Sequence, residues 1–167
     1  MKRLIFTLAL TMLMGATFAQ KFAHVDTEYI LGKIPAYQQA QTKLDNYSKQ
    51  WQQEVEAKFN QLDEMYKKYQ AEADILPEAT KIKREDEIIA KEKEAKELQK
   101  KYFGNDGELA KKRQELIKPI QDNVYNALKS VAIEAGYDYI FDKVTGDIIY
   151  ASEKYDESDV VLKKIIK

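Results

Sequence analysis

Residues 44–76 read LDNYSKQWQQEVEAKFNQLDEMYKKYQAEADIL, and this stretch decides the fold. Its apolar residues recur at steps of three and four, between the roughly 3.5-residue period of a coiled-coil seam and the roughly 3.6-residue period of a straight helix. A strand would alternate at every second residue, and this stretch does not. The pattern therefore predicts one long helix with a narrow apolar face. The face consists of Leu44, Tyr47, Trp51, Val55, Phe59, Leu62, Tyr66, Tyr69, Ala73 and Leu76.

A second helical segment is predicted to return along the first. Pro77 interrupts the pattern, and Glu78 and Thr80 are suited to restart a helix behind it. Residues 36–135 are therefore predicted to form a helical hairpin with its tip near Pro77, and the outgoing arm of about 41 residues would reach roughly 60 Å at about 1.5 Å per residue. Such a rod is too thinly apolar to fold around a core of its own. The apolar residues of the return path are Ile82, Ile89, Leu98, Tyr102, Leu109, Leu116, Ile120, Val124, Leu128 and Val131.

The return path contains two departures from regular helix. Gly104-Asn105-Asp106-Gly107 carries two glycines within four residues, and glycine costs about 1 kcal/mol against alanine inside a helix. Placing the hairpin tip there would make the two arms badly unequal. We therefore interpret Gly104 and Gly107 as a hinge. Pro119 is a second predicted bend, because proline removes a helix hydrogen bond.

The aromatic residues of the outgoing helix are candidate binding residues. Bulky rings make a poor core for a two-stranded coiled coil, where aliphatic side chains pack better. Two interpretations follow: the rings pack on the return helix, or some of them face a shared cavity and contact another protein. The candidates are Tyr47, Trp51, Phe59, Tyr66 and Tyr69.

Residues 81–101 are nearly all charged, with lysine, arginine, glutamate and aspartate alternating in blocks. This composition is typical of a solvated helix face, where each pair three or four residues apart contributes only about 0.2–0.5 kcal/mol. A helix that lies on a membrane surface would carry an excess of positive charge and larger apolar residues.

The two chain ends, residues 20–35 and 136–167, predict a small α+β body. Residues 21–26 read as a short strand, residues 137–142 and 147–151 as a β-hairpin, and the last residues as a helix capped by Asp156 or Ser158. Thr27 is suited to cap a brief helix over residues 28–33, and Gly136 to end the return helix.

The fold class is therefore α+β and mainly α: a three-stranded sheet body with a long antiparallel helical hairpin. A sheet this small leaves open edges, which several copies closing together would bury. The residues leave the number of copies open. We assign Val25, Ile140 and Ile149 to this oligomer contact.

Residues 1–19 are typical of a signal peptide. Lys2 and Arg3 precede an apolar run, and Ala16-Thr17-Phe18-Ala19 supplies small residues at positions −3 and −1, which predicts cleavage after Ala19. The run is shorter than the roughly 20 residues that span a bilayer, which disfavours an uncleaved anchor. The chain has no cysteine, so disulfides and lipoprotein processing are excluded.

Composition also narrows the function classes. Without Lys2 and Arg3 the chain has 25 basic residues against 28 acidic ones, a balance that argues against a nucleic-acid binder. His24 is the only histidine, and no cysteine accompanies it in a transition-metal site. Neither a nucleophile beside paired carboxylates nor a glycine-rich phosphate loop is present. We expect neither enzymatic activity nor a cofactor.

The motifs at the two ends resemble those of the Skp/OmpH family, the periplasmic chaperones of Gram-negative bacteria. These motifs are the signal peptide, a strand reading Lys-x-Ala-x-Val-Asp, the strands Tyr-Asp-Tyr-Ile-Phe-Asp and Asp-Ile-Ile-Tyr-Ala, and the terminal Asp-Glu-Ser-Asp-Val-Val-Leu-Lys-Lys helix. The resemblance covers essentially the whole chain after residue 19. The run from Glu115 to Gln121 is similar to Bacteroidetes members of the family.

The resemblance implies a homotrimer in which three small sheets form a barrel-like core and three hairpins surround a cavity as tentacles. The cavity would hold unfolded outer-membrane proteins and prevent their aggregation without ATP. Lipopolysaccharide binding is not carried over, because the chain is slightly acidic where enteric members are basic. Gly107, Glu108 and Pro119 stand where those members place arginines.

Two other functions compete with this periplasmic holdase. One is an exported coiled-coil scaffold or spacer that binds a folded envelope partner through its tip, which would favour rigid, uninterrupted heptads. The other is an interfacial lipid-binding helix protein. The interruptions at Gly104, Gly107 and Pro119 favour the holdase over the spacer.

Overall fold

A computed structural model describes residues 20–146 and 148–166. The predicted signal peptide, residues 1–19, lies outside the described residues. The chain divides into two compact units: residues 34–123, which we call the arm unit, and residues up to 33 together with those from 124 onward, which we call the body unit. The elements are β1 (Phe22–Val25), α1 (Thr27–Lys33), α2 (Pro35–Glu72), α3 (Glu78–Phe103), α4 (Glu108–Ala135), β2 (Tyr139–Asp142), a 3-10 turn (Glu153–Tyr155) and α5 (Ser158–Ile165).

The body unit is built around a two-stranded parallel sheet. β1 pairs with β2 in a register that sets Phe22 opposite Tyr139 and Val25 opposite Asp142. Side chains alternate between the two faces of a strand, so Ala23 and Val25 share the buried face. α1 packs on α5, and the buried apolar residues of the unit are Ala23, Val25, Ile30, Val124, Ala127, Val131 and Val161.

The predicted third strand is wrong for the single chain. Residues 148–151 form no strand among the described residues. After the turn that Gly146 closes on the Asp142 carbonyl at 3.0 Å, the chain leaves β2 and reaches β1. There Asp156 forms an isolated parallel bridge with His24. A two-stranded hairpin is only marginally stable unless another layer of structure or another chain covers it. In the single chain, residues 149 and 150 are exposed.

The helix ends largely follow the predictions. Pro35 is in the first turn of α2, and α3 begins directly after Pro77. Gly136 has a φ of 67° and the amide of Tyr137 donates to the Ala132 carbonyl, which is the Schellman end of a helix. The predicted Thr27 cap is wrong: α1 begins at Thr27, and Asp26 accepts the amide of Tyr29 at 2.7 Å.

The arm unit contains α2, α3 and the first half of α4. α2 and α3 are connected by the tip at residues 73–77 and pack along each other. Their seam buries Val55 and Leu62 on α2 and Ile88 and Ala95 on α3. A second cluster joins α2 to α4 through Ala40, Leu44 and Ile117, flanked by Tyr37, Leu109, Leu116 and Ile120.

The seam on α3 differs from the prediction. Ile82 and Ile89 were predicted to face α2, but they are 53% and 61% exposed. Successive residues of a helix are turned by about 100°, so Ile88 and Ile89 cannot both face one neighbour. The row that begins at Ile88 continues at seven-residue spacing through Ala95 to Tyr102, and that row is the one against α2.

None of the helices in the described part of the chain combines the length and the apolarity that a bilayer span requires.

The boundary between the two units lies within α4, at residues 123 and 124, rather than at the sequence-based boundary of residue 136. The reason is that Val124, Ala127 and Val131 in the last turns of α4 belong to the core of the body unit.

Asp142 is the polar centre of the body unit. Its carboxylate accepts the hydroxyl and the amide of Thr27 at 2.7 and 3.3 Å, the amide of Val144 at 3.1 Å and the hydroxyl of Thr145 at 3.2 Å. Burial alone would raise the pKa of Asp142, but these hydrogen bonds outweigh it and lower the pKa below its ordinary value. One carboxylate thus ties α1 to the turn after β2.

Acid should therefore destabilise the body unit. The folded state holds Asp142 ionised more strongly than the unfolded chain does, so its contribution is complete above the ordinary aspartate pKa of about 3.9. The contribution is lost as the pH falls through the lower folded-state value. Asp142→Asn should reduce the unfolding free energy at pH 7 by on the order of 2 kcal/mol and flatten its dependence on pH below 4.

Urea titrations followed by the amide NMR signals of β1 at pH 7, 4 and 2.5 would measure this effect. Asp74→Asn, an exposed position in the tip of the arm unit, is the matched control and should leave the pH profile of the β1 signals unchanged. An equally steep loss of stability in Asp142→Asn below pH 4 would contradict the role of this carboxylate.

Candidate functional site

Three aromatic rings stack across the arm unit. Tyr47 and Trp51 lie one turn apart on α2, with ring centroids 5.3 Å apart, and Trp51 stacks on Tyr102 of α3 at 5.0 Å with only 7° between the planes. We call Tyr47, Trp51 and Tyr102 the ring ladder. Trp51, one of the predicted binding residues, therefore packs on the return path, as the first of the two interpretations expects, and Tyr47 packs on Trp51 within α2.

Tyrosine hydroxyls bridge α2 and α3 along the whole arm. The Tyr102 hydroxyl donates to the Glu54 carboxylate at 2.5 Å, and the Tyr69 hydroxyl donates to Glu85. Tyr66 forms a further hydrogen bond with Glu92. Each bridge joins a tyrosine of one helix to a glutamate of the other, and the ring of Tyr102 is held at its face by Trp51 as well as at its hydroxyl.

These bridges shift the ionisation of both partners. The hydrogen bond from Tyr102 is the largest cause that lowers the pKa of Glu54, and one from Gln50 adds to it. The same carboxylate raises the pKa of Tyr102, and Glu85 raises that of Tyr69 in the same way. Near neutral pH the bridges therefore stay in the form in which a hydroxyl donates to a carboxylate.

The other predicted aromatic contacts differ in exposure. Phe59 and Tyr69 are half-buried, and Tyr66 is 40% exposed. Of the five predicted binding residues, Tyr66 therefore presents the most ring surface to a partner.

Sequence reasoning missed the exposed side of α3. Ile82 and Ile89 are seven residues apart and thus lie on one side of the helix, and Ile75 in the tip is 81% exposed. Ile89 lies in a groove with charged side chains: Glu92, Lys93, Lys96, Glu97 and Lys100. The isoleucines of α3 do not all fit one row at seven-residue spacing, so the sequence indicates that some of them are exposed. Which ones are exposed depends on which row faces α2.

Several charged side chains of α3 form ion pairs along its surface, as is typical of a solvated face. Lys96 lies 2.5 Å from Glu92 and Lys91 lies 2.7 Å from Glu94. Such exposed pairs contribute little to stability, about 0–1 kcal/mol each. They keep a helix with few apolar contacts soluble.

The predicted hinge is the turn between α3 and α4. Gly104 and Gly107 bound residues 104–107, which we call the joint, and the amide of Gly107 donates to the Gly104 carbonyl at 2.9 Å. A Cβ on Gly104 would lie 2.5 Å from the Lys100 carbonyl oxygen, and one on Gly107 2.8 Å from that of Tyr102. Both glycines are thus required by close approach of the backbone. Pro119 lies inside the continuous helix α4.

The predicted oligomer residues occupy three different environments in the body unit. Val25 is only 2% exposed, so its side chain belongs to the core of the single chain. Ile140 is half-buried, in a groove with Tyr125, Leu128 and Tyr137. Ile149 is fully exposed. Ile149 is therefore the predicted contact residue with the most surface to offer another copy.

An exposed aromatic stack covers one face of the two-stranded sheet. Phe22 stacks on Tyr139 at 5.7 Å and on Phe141 at 6.1 Å, and each ring is about half exposed. The neighbouring groove, of about 790 Å³, is lined by Ile148, Tyr150, Tyr155 and His24 among others. The single chain thus leaves a large apolar face of its sheet uncovered.

His24 has a structural position, as the sequence suggests. Its ring is buried and its Nε2 lies 2.9 Å from the Ser152 carbonyl oxygen. Among the described residues there is no group of three or more histidine, aspartate or glutamate side chains arranged to hold a metal ion.

The chain belongs to the OmpH-like family: the family model described as "Outer membrane protein (OmpH-like)" matches residues 21–165. This confirms the Skp/OmpH resemblance. Membership of a family of chaperones also agrees with the expectation of a protein without enzymatic activity. The placement among Bacteroidetes members stays a prediction.

Individual relatives match over nearly the full length. The chain is 27% identical over 161 residues to the chaperone protein Skp of Photorhabdus laumondii, covering 96% of this chain and 94% of that protein. It is 28% identical over 158 residues to an uncharacterized protein of Aquifex aeolicus, covering 95% and 93%. The crystal structure of an OmpH-like protein from Caulobacter crescentus shares the fold, with a TM-score of 0.66 at 12% identity, covering 88% and 84%.

The geometry of the joint predicts that alanine is not tolerated there. Gly104→Ala and Gly107→Ala would each place a Cβ within 3.0 Å of backbone atoms, which cannot rotate away, so the turn itself must move. Each substitution should cost about 1–3 kcal/mol of unfolding free energy. Urea unfolding followed by circular dichroism, with hydrogen exchange of residues 100–111, would measure the change.

Gly32→Ala in α1 is the matched control. Nothing lies within 4 Å of the Cβ that it would add, and alanine is the better helix former by about 1 kcal/mol. That variant should therefore be neutral or more stable. Unchanged stability and exchange in both joint variants would refute the close approach described here.

Proposed function

We propose that this protein is an ATP-independent holdase of the bacterial periplasm, which binds unfolded outer-membrane proteins and prevents their aggregation. The observation that carries the proposal is the arm unit: two long, charged helices with a narrow seam that leave single large apolar side chains exposed. Similarity to a chaperone protein Skp over nearly the whole chain supports the same function.

The chemistry of the arm suits an unfolded β-barrel chain as client. Such a chain presents alternating apolar and polar residues and has no fixed surface, so it cannot be matched by one shaped pocket. Separate contacts through Tyr66, Ile82 and Ile89 are each weak, but contacts on one tethered client add through effective concentration. Client release then needs no nucleotide, because each contact dissociates readily. Tyr47, Trp51, Phe59 and Tyr69 remain predicted contacts through their partly exposed sides.

The uncovered sheet face supports a homo-oligomer, which by family resemblance is a homotrimer. The stacked rings of Phe22, Tyr139 and Phe141, together with Ile149, give each copy an apolar surface of the kind that oligomer interfaces bury. In the proposed trimer the bodies form a joint core and the arms of three copies enclose the client cavity. The proposed location is the periplasm, with the signal peptide removed after Ala19.

The holdase proposal is tested by diluting a urea-unfolded β-barrel protein into buffer and following light scattering. The protein without residues 1–19 should suppress scattering at a near-stoichiometric ratio of trimer to client, in the absence of nucleotide. Replacing both Ile82 and Ile89 with glutamine should weaken suppression, with a loss of about thirtyfold or more in apparent client affinity, because each replacement loses about 1–2 kcal/mol of apolar contact. Both side chains are exposed, so helix content should not change.

Ile133→Gln is the control, since Ile133 is an exposed isoleucine of the body unit. It should suppress scattering as the parent protein does. Scattering of the client that is unaffected by the parent protein would reject the holdase. A defined complex with a folded envelope protein, without effect on unfolded clients, would favour the scaffold alternative.

The oligomer proposal is tested at Ile149. Ile149→Lys places a charge on a side chain that is fully exposed in the single chain, so it should leave folding intact. In the oligomer the charge would be buried without a partner, which costs several kcal/mol. Light scattering coupled to size exclusion should therefore show a trimer for the parent and smaller species for the variant. Ile133→Lys should stay trimeric, and an unchanged mass for Ile149→Lys would exclude this surface as the contact.

A further inference from the structure

The joint is closely coupled to the ring ladder through one residue. The ring of Tyr102 forms the last step of the ladder, and its backbone carbonyl oxygen lies only 2.8 Å from the position that a Cβ on Gly107 would occupy. Tyr102 is in the last turn of α3, immediately before the joint. A movement of α4 about the joint would therefore displace the backbone of Tyr102 and separate its ring from Trp51.

We propose that the ring ladder and the Tyr102–Glu54 hydrogen bond lock the joint, so that Trp51, Tyr102 and Glu54 are positioning residues that fix the direction of the arm. The two glycines permit the turn, and the lock selects one geometry of it. The predicted hinge is then closed in the resting protein and opens only when the rings separate.

All three helices of the arm unit meet at the lock. α2 contributes Tyr47, Trp51 and Glu54, and α3 contributes Tyr102. The ammonium of Lys112, on the second turn of α4, lies 5.8 Å from the centroid of the Tyr47 ring, within reach of a cation–π contact. The same lysine pairs with Glu115 at 2.7 Å. The ladder thus holds the helices on both sides of the joint.

The geometry of the stack is that of an ordered contact. The planes of Trp51 and Tyr102 differ by 7°, and the centroid distance of 5.0 Å lies within the range of offset stacking. The hydroxyl of Tyr102 is held by a carboxylate, and hydrogen bonds to charged acceptors are the stronger kind. A ring fixed at its face and at its tip cannot turn aside to let the joint open.

The consequence for binding rests on the proposed holdase function. A locked joint holds the arms at one spacing, which suits clients of a limited size. An unlocked joint lets the arms spread, so larger clients fit better. Small clients are then held less tightly, because more motion must be lost on binding. The lock would therefore determine which client sizes the protein prefers.

Spin-label distance measurements test the lock without any client. The chain has no cysteine, so Gln53→Cys on α2 and Gln114→Cys on α4, both exposed, give two unambiguous label sites. Labelled protein is diluted with an excess of unlabelled protein, so that only distances within one chain are recorded. The lock predicts one narrow distance distribution for the parent and a distribution at least twice as broad for Trp51→Ala and Tyr102→Ala.

Two further variants keep the test sharp. Tyr102→Phe retains the stack and loses only the hydroxyl, so it should broaden the distribution less than Tyr102→Ala and should do so without loss of helix content. Tyr125→Ala, which removes a largely exposed aromatic ring of α4 in the body unit, should leave the distribution as narrow as in the parent. A distribution that stays narrow in both Trp51→Ala and Tyr102→Ala would overturn the lock.

Client measurements then separate the lock from the holdase. Apparent affinities for unfolded β-barrel proteins of eight and of sixteen strands are compared in the parent and in Tyr102→Ala, because Tyr102 is not among the predicted client contacts. The lock predicts a shift of the affinity ratio toward the larger client by roughly threefold or more. Parent protein that holds neither client would reject the holdase and leave the distance result standing. An unchanged ratio beside a broadened distribution would reject the role of the lock in client choice.

Discussion

The narrow seam between α2 and α3 is the constraint on which the arm unit depends. Val55 and Leu62 meet a row on α3 whose buried members are Ile88 and Ala95, and Ala95 is completely inaccessible to solvent. A side chain as small as alanine at a fully buried position lets two helix backbones approach closely. One row of contacts, however, fixes neither the register nor the rotation of two helices as firmly as a core with several layers does.

The tyrosine–glutamate bridges supply what the seam lacks. They pair residue 54 with 102, 66 with 92 and 69 with 85, in the descending order of antiparallel helices. Glu85 and Glu92 are seven residues apart and so share one side of α3. Turning α3 by one residue, about 100°, would remove both acceptors from their tyrosines at once. The bridges therefore specify the register, although each is exposed and adds little stability alone.

This division between seam and bridges explains what the sequence could predict. Periodicity identified α2 and its buried residues, because one dominant row runs through Leu44, Val55 and Leu62. On α3 three isoleucines compete for the inner position, and the charged residues between them give no preference. The choice of Ile88 depends on the three-dimensional partner. The role of Tyr102 was equally hidden, because it depends on a stack with a residue that is distant in sequence.

The body unit shows the same limit for a different reason. The strands at residues 22–25 and 139–142 were predictable because they alternate and pair with each other within one chain. Residues 147–151 have strand composition, but in the single chain no neighbour pairs with the described residues 148–151, and they remain irregular. A local propensity of about 1 kcal/mol or less does not form a strand without a partner. Their state in an assembled protein depends on what another copy supplies.

The free energy that the exposed apolar residues of the arm can contribute can be compared with the free energy that client binding needs. Single exposed isoleucines are ordinary on protein surfaces, so Ile82 or Ile89 alone would need no explanation. Their shared side of α3 gives a row in which each contact contributes about 1–2 kcal/mol. Micromolar binding needs about 8 kcal/mol, so no single contact and no single arm of this kind suffices. Useful affinity then requires several arms to engage one client together. Because the surface of one arm binds weakly, client binding depends on oligomerisation. An arm that bound a client tightly by itself would hinder release of the client.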